Sequence, residues 1–592
     1  MKNYLKELRS RKFHLPYASE FKEAVQSFRV SEKMLFYLFV ILFASSTLFM
    51  LWQISDNLMI EVPAYGGSLT EGIVGSPSFL NPLLSVRDAD RDLVILVYSG
   101  LLKATPEGNL VPDLAESYSI SEDGREYDFK LRSNIIFHNG TPITADDVIF
   151  TVLKAQDPDV KSPKRANWEG VSVEKISDTE VKFTLKQAYA PFLENTTLGI
   201  LPKHLWQKVD PEEFSFSQLN IHPIGSGPYE IKTVKKSEDV PTSYELSAFK
   251  KYALGQPFIK MLLIKFYANE DELGKAYENG DIESLSAISP QKAGSLVALG
   301  GRVEKTPLPR IFGVFFNQNQ ASVFLNKEVR QALDMGLDKD RIVSEVLGGY
   351  GITLDSPIPP GILEEAPRLN EKNSVASSTL NKTEAARAYL EKNGWKWNEK
   401  EKVLQKTVKK QTTLLAFSLT TANVPELRAT AGIIKEEWEK VGARVDVKIY
   451  EPSDLNQNSI RPRKYDALLF GEIVGRDLDL FAFWHSSQRN DPGLNIALYT
   501  NLKVDKLLEE ARAETDKDKR MEKYQEFEKE VQKEIPAVFI YSPDFIYILP
   551  KKVMGADIGN ITTPGERFLD INNWYVTVEK KWEFLVKNRP SL

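Results

Sequence analysis

Cysteine is missing from all 592 residues, and its absence excludes disulfides, thiolate metal sites and cysteine nucleophiles together. Histidine is scarce. His14, His138, His204, His222 and His485 are the full set, and no two stand at a metal-ligand spacing. No G-x-S-x-G elbow is present. The glycines of Gly225-Ser226-Gly227-Pro228-Tyr229 lack the Lys-Ser/Thr and opening helix of a phosphate loop. A basic surplus is lacking too: 76 Lys and Arg against 82 Asp and Glu leave a formal net charge of -6, with no sign of a basic face for nucleic acid. Neither internal repeats nor low-complexity segments occur. The sequence therefore implies no metal, no cofactor, no nucleic-acid partner and no enzymatic activity. The paired acids Asp146-Asp147 and Glu364-Glu365 read as a helix cap and a solvated loop rather than as catalytic dyads.

What is present is ordinary globular material, 42% apolar and 27% charged, in a chain too long for a single core. One long apolar run stands apart. Met34 to Ile54 carries no charge, and its 21 residues span roughly 32 Å as a helix, enough for a bilayer core. Residues 1–33 before it hold eight Lys/Arg against four acids, which by the positive-inside rule places them in the cytoplasm and the rest of the chain outside. A cleaved signal peptide is the competing reading, since Ala44-Ser45-Ser46 offers small residues. The run continues eight residues past Ser46 behind a long basic region, which favours an uncleaved single-pass anchor. Residues 55–67, with Pro63 and Gly66-Gly67, read as a tether.

The densest local signals lie in 109–153. Tyr127, Phe129 and Leu131 alternate with charged residues, the period of a half-buried strand. Asp123-Gly124 turns it back on Tyr118-Ser119-Ile120. Thr144, three residues ahead of Asp147, predicts a capped helix carrying Val148, Val152 and Leu153 inward. Farther on, Asn326 predicts a cap for the helix carrying Val329 and Leu333, and Asn381 with Glu384 a second capped start ending at Gly394. Leu427, Ala431, Ile434, Trp438 and Val441 form a helical stripe stopped by Gly442, and Val445, Val447 and Ile449 alternate directly after it. Such a helix feeding a strand is the unit of an α/β lobe. A helical pair, Val504 to Glu514 and Lys519 to Lys533, precedes the apolar run Ala537 to Leu549.

The stretch LVPDLAESYSISEDGREYDFKLRSNIIFHNGTPITADDVIF resembles the signature region of bacterial extracytoplasmic solute-binding proteins of the dipeptide, oligopeptide and nickel class of ABC importers, solute-binding family 5. Asn81-Pro82-Leu83-Leu84, Ala190-Pro191-Phe192, Ile200-Leu201-Pro202-Lys203-His204, Gly225 to Tyr229 and Asn326 to Leu333 follow in the family's order. The resemblance implies an α/β, two-lobed periplasmic-binding-protein-like fold (type II, cluster C) with an inserted subdomain, here preceded by the N-terminal transmembrane helix. It divides the chain into a lobe I of 68–85, 186–309 and 540–576, an inserted subdomain of 86–185 and a lobe III of 310–539. It implies a monomer that binds a peptide between lobes and delivers it to an ABC permease with its ATPase, anchored to the membrane by its helix because the lipidated cysteine of many relatives is absent. A sensing role, or a nickel complex, haem or sugar as ligand, stays open within the same family.

The resemblance also points to a site. In peptide-binding relatives the loop at Gly471 to Trp484 carries an acid that takes the ligand's ammonium, and Asp477 matches it by position, with Asp479 next. A carboxylate held in a closed cleft is stabilised only when a cation pairs with it, so it selects ligands with a free amine. Read without the family, both are surface acids in a turn. Trp484, Phe481 and Phe483 are candidates to line the cleft, and Arg476 and Arg310 to receive a ligand carboxylate bidentately.

Overall fold

The computed structural model describes residues 18–286, 288–359 and 379–582; the first 17 residues of the basic segment and the pair Glu364-Glu365 lie outside them. Two compact units are present, 1–64 with 578–592, and 65–577. In the smaller one, helix Ala18–Ser27 precedes the 28-residue helix Val30–Asn57. Its segment 30–54 has mean hydropathy 2.3 and buries nothing, and is long and apolar enough to cross a membrane. Strand Met59–Ala64, within the stretch read as a tether, pairs with strand Thr577–Trp582.

The larger unit is organised around strand Ala537–Leu549. Its thirteen residues are almost all apolar and buried, as a strand covered on both faces requires. The first part pairs antiparallel with Arg310–Phe316, Phe315 opposite Ala537 and Phe312 opposite Tyr541. The last part pairs with Ser284–Ser286 and Arg302–Pro307, Leu285 opposite Ile548 and Pro307 opposite Asp544. One sheet of twelve strands results, with Ala467–Ile473, Ala416–Ala422 and Arg444–Tyr450 on one wing and Gly66–Val74, Ile259–Tyr267, Val240–Ala248 and Tyr229–Ser237 on the other.

Two large hydrophobic cores lie along this sheet. One gathers residues from Ile311 to Tyr541, and the other joins Leu69 to Leu308 with Phe545 to Trp574. The chain passes between them twice, at Leu308 to Ile311 and at Tyr541 to Phe545, which defines two lobes. Hydrogen bonds tie the crossings together: Leu308 N–H donates to Pro543 O (3.0 Å) and Ser542 Oγ–H to Leu308 O (2.5 Å).

A separate four-stranded sheet, ordered Ala115–Ile120, Glu126–Leu131, Glu180–Thr184, Ser172–Ser177, packs into the second core. Glu126–Leu131 alternates exposed and buried residue by residue, and Gly124 takes φ +66° in the turn before it. The capping box at Thr144 is formed: Thr144 N–H donates to Asp147 Oδ2 at 2.9 Å. Val148 and Val152 face inward from helix Ala145–Gln156, but Leu153 is 53% exposed, because it stands about 140° around the helix from Val148. Helix Pro425–Val441 buries all five residues of its stripe and ends at Gly442, φ +112°. Two caps differ from expectation. Asn326 precedes helix Lys327–Met335 without a side-chain bond to it, because its amide turns back to Val323 O (3.0 Å). Asn381 lies inside helix Thr379–Lys392 rather than at its start, although Gly394 does terminate it with φ +90°.

Candidate functional site

The loop after strand Ala467–Ile473 is aimed by its leucines. Val474 N–H donates to Pro309 O (2.8 Å), fixing the loop beside the first crossing. Leu478 and Leu480 are then driven into the core between Ile311 and Tyr541, so the alternating Asp477 and Asp479 face the other way, toward the opposite lobe.

That direction opens on a cavity of about 370 Å³ between the lobes, within the range of small-ligand sites. Arg476, Asp477, Lys517 and Arg520 line it from one lobe, and Tyr118, Tyr127 and Glu194 from the other, with Leu308 and Pro309 of the crossing at its back.

The charged groups are mostly paired. Asp477 stands 3.3 Å from Arg520 Nη2, and burial raises its carboxyl above the usual range against the pull of that guanidinium. Arg520 Nε is buried with no hydrogen-bond partner. Arg476, 7% exposed, bonds to Glu566 and to Asn560 O (2.9 Å) and lies 3.6 Å from Glu194. Burial pushes the Glu194 carboxyl up to about 7, with Arg476 opposing, and its Oε2 has no hydrogen-bond partner.

Asp479 holds the lobes together. Arg512 Nη2 reaches it at 2.7 Å from the same lobe, and Tyr189 Oη–H donates to it at 3.2 Å from the other. Ala190 N–H also donates to Arg512 O (2.9 Å), and the guanidinium lies 4.2 Å from the Phe481 ring centre. These bonds form a latch across the cleft.

Of the residues picked out in the sequence, the structure therefore brings Arg476 and Asp477 to one cavity wall and sets Asp479 beside it. Trp484 does not line the cavity: it is fully buried among Phe315, Tyr499, Phe527 and Phe539, because the short helix Phe481–Trp484 turns it into the core. Phe481 stacks on His485, and Phe483 packs on the same core as Trp484. Arg310 is half-buried with Asp88 and Arg91 as its charged neighbours and is not among the lining residues. Sequence reasoning missed Glu194, Tyr189 and Arg520. The first two adjoin the quoted Ala190-Pro191-Phe192, which was their only signal; Arg520 sits in a helix so rich in charge that it reads as solvated face.

A model of the bacterial extracellular solute-binding proteins, family 5, matches residues 109–494. The oligopeptide-binding protein AppA of Bacillus subtilis (strain 168) is 30% identical over 509 residues, covering 83% of this chain and 89% of that protein. The solved structure of B. subtilis AppA in complex with a nonapeptide is similar with TM-score 0.64 and 27% identity, over 87% of this chain and all of that one. An ABC transporter substrate-binding protein, CtaP of Listeria monocytogenes, gives TM-score 0.71 and 26% identity over 86% of this chain and 99% of its own.

Proposed function

We propose that this chain, which belongs to the bacterial extracellular solute-binding proteins of family 5, is the membrane-anchored, extracytoplasmic component of an ABC importer that captures peptides in its cleft and passes them to a permease. It performs no chemistry on them. The observation that carries the peptide reading is the Asp477–Arg520 pair facing one interlobe cavity. A peptide presents an ammonium and a carboxylate, and this pair presents their complements. The Asp477 carboxylate is short of compensation, as its raised pKa indicates, and a ligand ammonium supplies it. Arg520, with Nε unbonded, then turns its planar fork to the ligand carboxylate. The oligopeptide-binding relative supports the same ligand class. Helix Val30–Asn57 and the basic segment before it support the anchor and its orientation.

Calorimetric titration of the full chain in detergent micelles with Ala-Ala-Ala and N-acetyl-Ala-Ala-Ala tests the ligand. The free peptide should bind, and acetylation or Asp477→Asn should each weaken it about tenfold or more. Equal binding of both peptides, or binding of neither, sinks the reading. For the anchor, alkaline carbonate should leave the chain in the membrane fraction with its N-terminal segment intact; release, or a mature chain starting just past Ser46, would make the helix a signal sequence.

A further inference from the structure

Behind the Arg476–Glu194 contact lies a second cavity, of about 130 Å³, which these two residues share with the main cleft. Five of its lining residues carry a buried polar atom without a hydrogen-bond partner: Tyr98 Oη, Ser99 Oγ, Asp113 Oδ1, Glu194 Oε2 and Arg476 Nε. Such atoms are costly in a folded interior unless something polar meets them, and one chamber holds five.

Its walls are of two kinds. Val94, Leu102 and Phe568 suit methylene groups. Beside them stands Asp113, 3% exposed, whose carboxyl burial pushes up to about 6 against the pull of Lys103 and of the neighbouring Ser99 and Tyr252 hydroxyls. Lys103 lies near but makes no ion pair with Asp113; its Nζ donates to Leu569 O (3.4 Å). Arg132 likewise donates to the Asp113 backbone oxygen (2.7 Å) and not to its carboxylate. The partition toward the main cleft is weak at one point: Arg476 and Glu194 are 3.6 Å apart, beyond hydrogen-bond length, whereas Arg476 is firmly held by Glu566.

We propose that this chamber is a specificity pocket for a basic side chain of the bound peptide, its methylene stem against Leu102 and Phe568 and its cationic tip against Asp113, with Glu194 at the mouth. The pocket rests on the peptide reading above and narrows the ligand class to peptides carrying lysine or a similar cation. An amphipathic stem with a charged tip matches an apolar wall beside an acid and the hydroxyls around it. A neutral side chain of the same length would leave those groups unmet.

The experiment titrates the full chain in detergent micelles with Lys-Ala-Ala, Ala-Lys-Ala and Ala-Ala-Lys, each beside its norleucine counterpart. At one position lysine should bind about tenfold or more tighter than norleucine. That ratio, taken within each variant, should fall toward one in Asp113→Asn and in Glu194→Gln, with each variant's melting transition reporting that it is folded; should Asp113→Asn fail to fold, Ser99→Ala, expected to reduce the ratio, takes its place. A ratio near one at all three positions of the wild type overturns the pocket while leaving the peptide reading intact. A ratio lost in Glu194→Gln but kept in Asp113→Asn puts the charge in the main cleft and overturns the chamber. Silence from every peptide, norleucine forms included, overturns the peptide reading itself and the pocket with it.

Discussion

Asp113 and Glu194 both carry their protons to higher pH than free carboxylates do, the first up to about 6 and the second up to about 7, and in each case burial is the leading cause. Raised values have a definite sign in stability. As pH climbs from about 4, the unfolded chain surrenders these protons first, so the folded state's share from them is full in acid and is lost as pH passes 6 and 7. Asp113→Asn removes one of the two titrations. Measured by thermal unfolding at pH 4, 5.5 and 7, the variant should gain on the wild type as pH rises; a constant gap between them would mean that Asp113 titrates as it does in the unfolded chain. At this scale the sequence was readable only where the family supplied a position. Asp477 could be found that way, but its partner Arg520 lies 43 positions on, and no local pattern reports such a pair.

Elements were more legible, because their causes are local. The strand Glu126–Leu131 declares itself by alternation and the helix Pro425–Val441 by its stripe and terminal glycine. The capping box of helix Ala145–Gln156 was readable from Thr144 and Asp147, yet half of Asp147's role was not: its Oδ1 also accepts from Lys203 N–H at 2.9 Å, pinning a segment 56 residues away. Losing both a cap and a long-range tie, Asp147→Ala should cost about 2 kcal/mol in denaturant-induced unfolding. A cost near zero would mean that water replaces both bonds. The caps expected at Asn326 and Asn381 fail in different ways: the Asn326 amide turns back to Val323 O, and Asn381 lies inside its helix. Asparagine also bonds to nearby carbonyls and tolerates helix interiors, so its presence alone marks no boundary.

For the whole molecule, the sequence foretold a two-lobed α/β fold through the family and through alternating helix and strand patterns. It did not foretell how the lobes are held, since the latch joins Tyr189 to Asp479 across 290 positions. On the proposed function, the two crossings serve as the hinge of closure, and the ligand and the latch both favour the closed form. Tyr189→Phe removes one charge-assisted bond across the cleft and leaves the ring in place. Release of a fluorescently labelled peptide, followed by stopped flow, should become about tenfold faster, with association little changed. An unchanged release rate would mean that the latch does not open when the ligand leaves.

The strand Ala537–Leu549 also sets the order in which the protein can be made. It completes the sheet in both lobes, pairing with Arg310–Phe316 in one and with Arg302–Pro307 in the other, yet in chain order it is the last strand of that sheet. Domains of many chains fold in turn as they emerge. Here neither lobe can finish before residue 549 has been added, so a nascent chain holds two unfinished sheet edges at once, and both are sealed by the same thirteen residues.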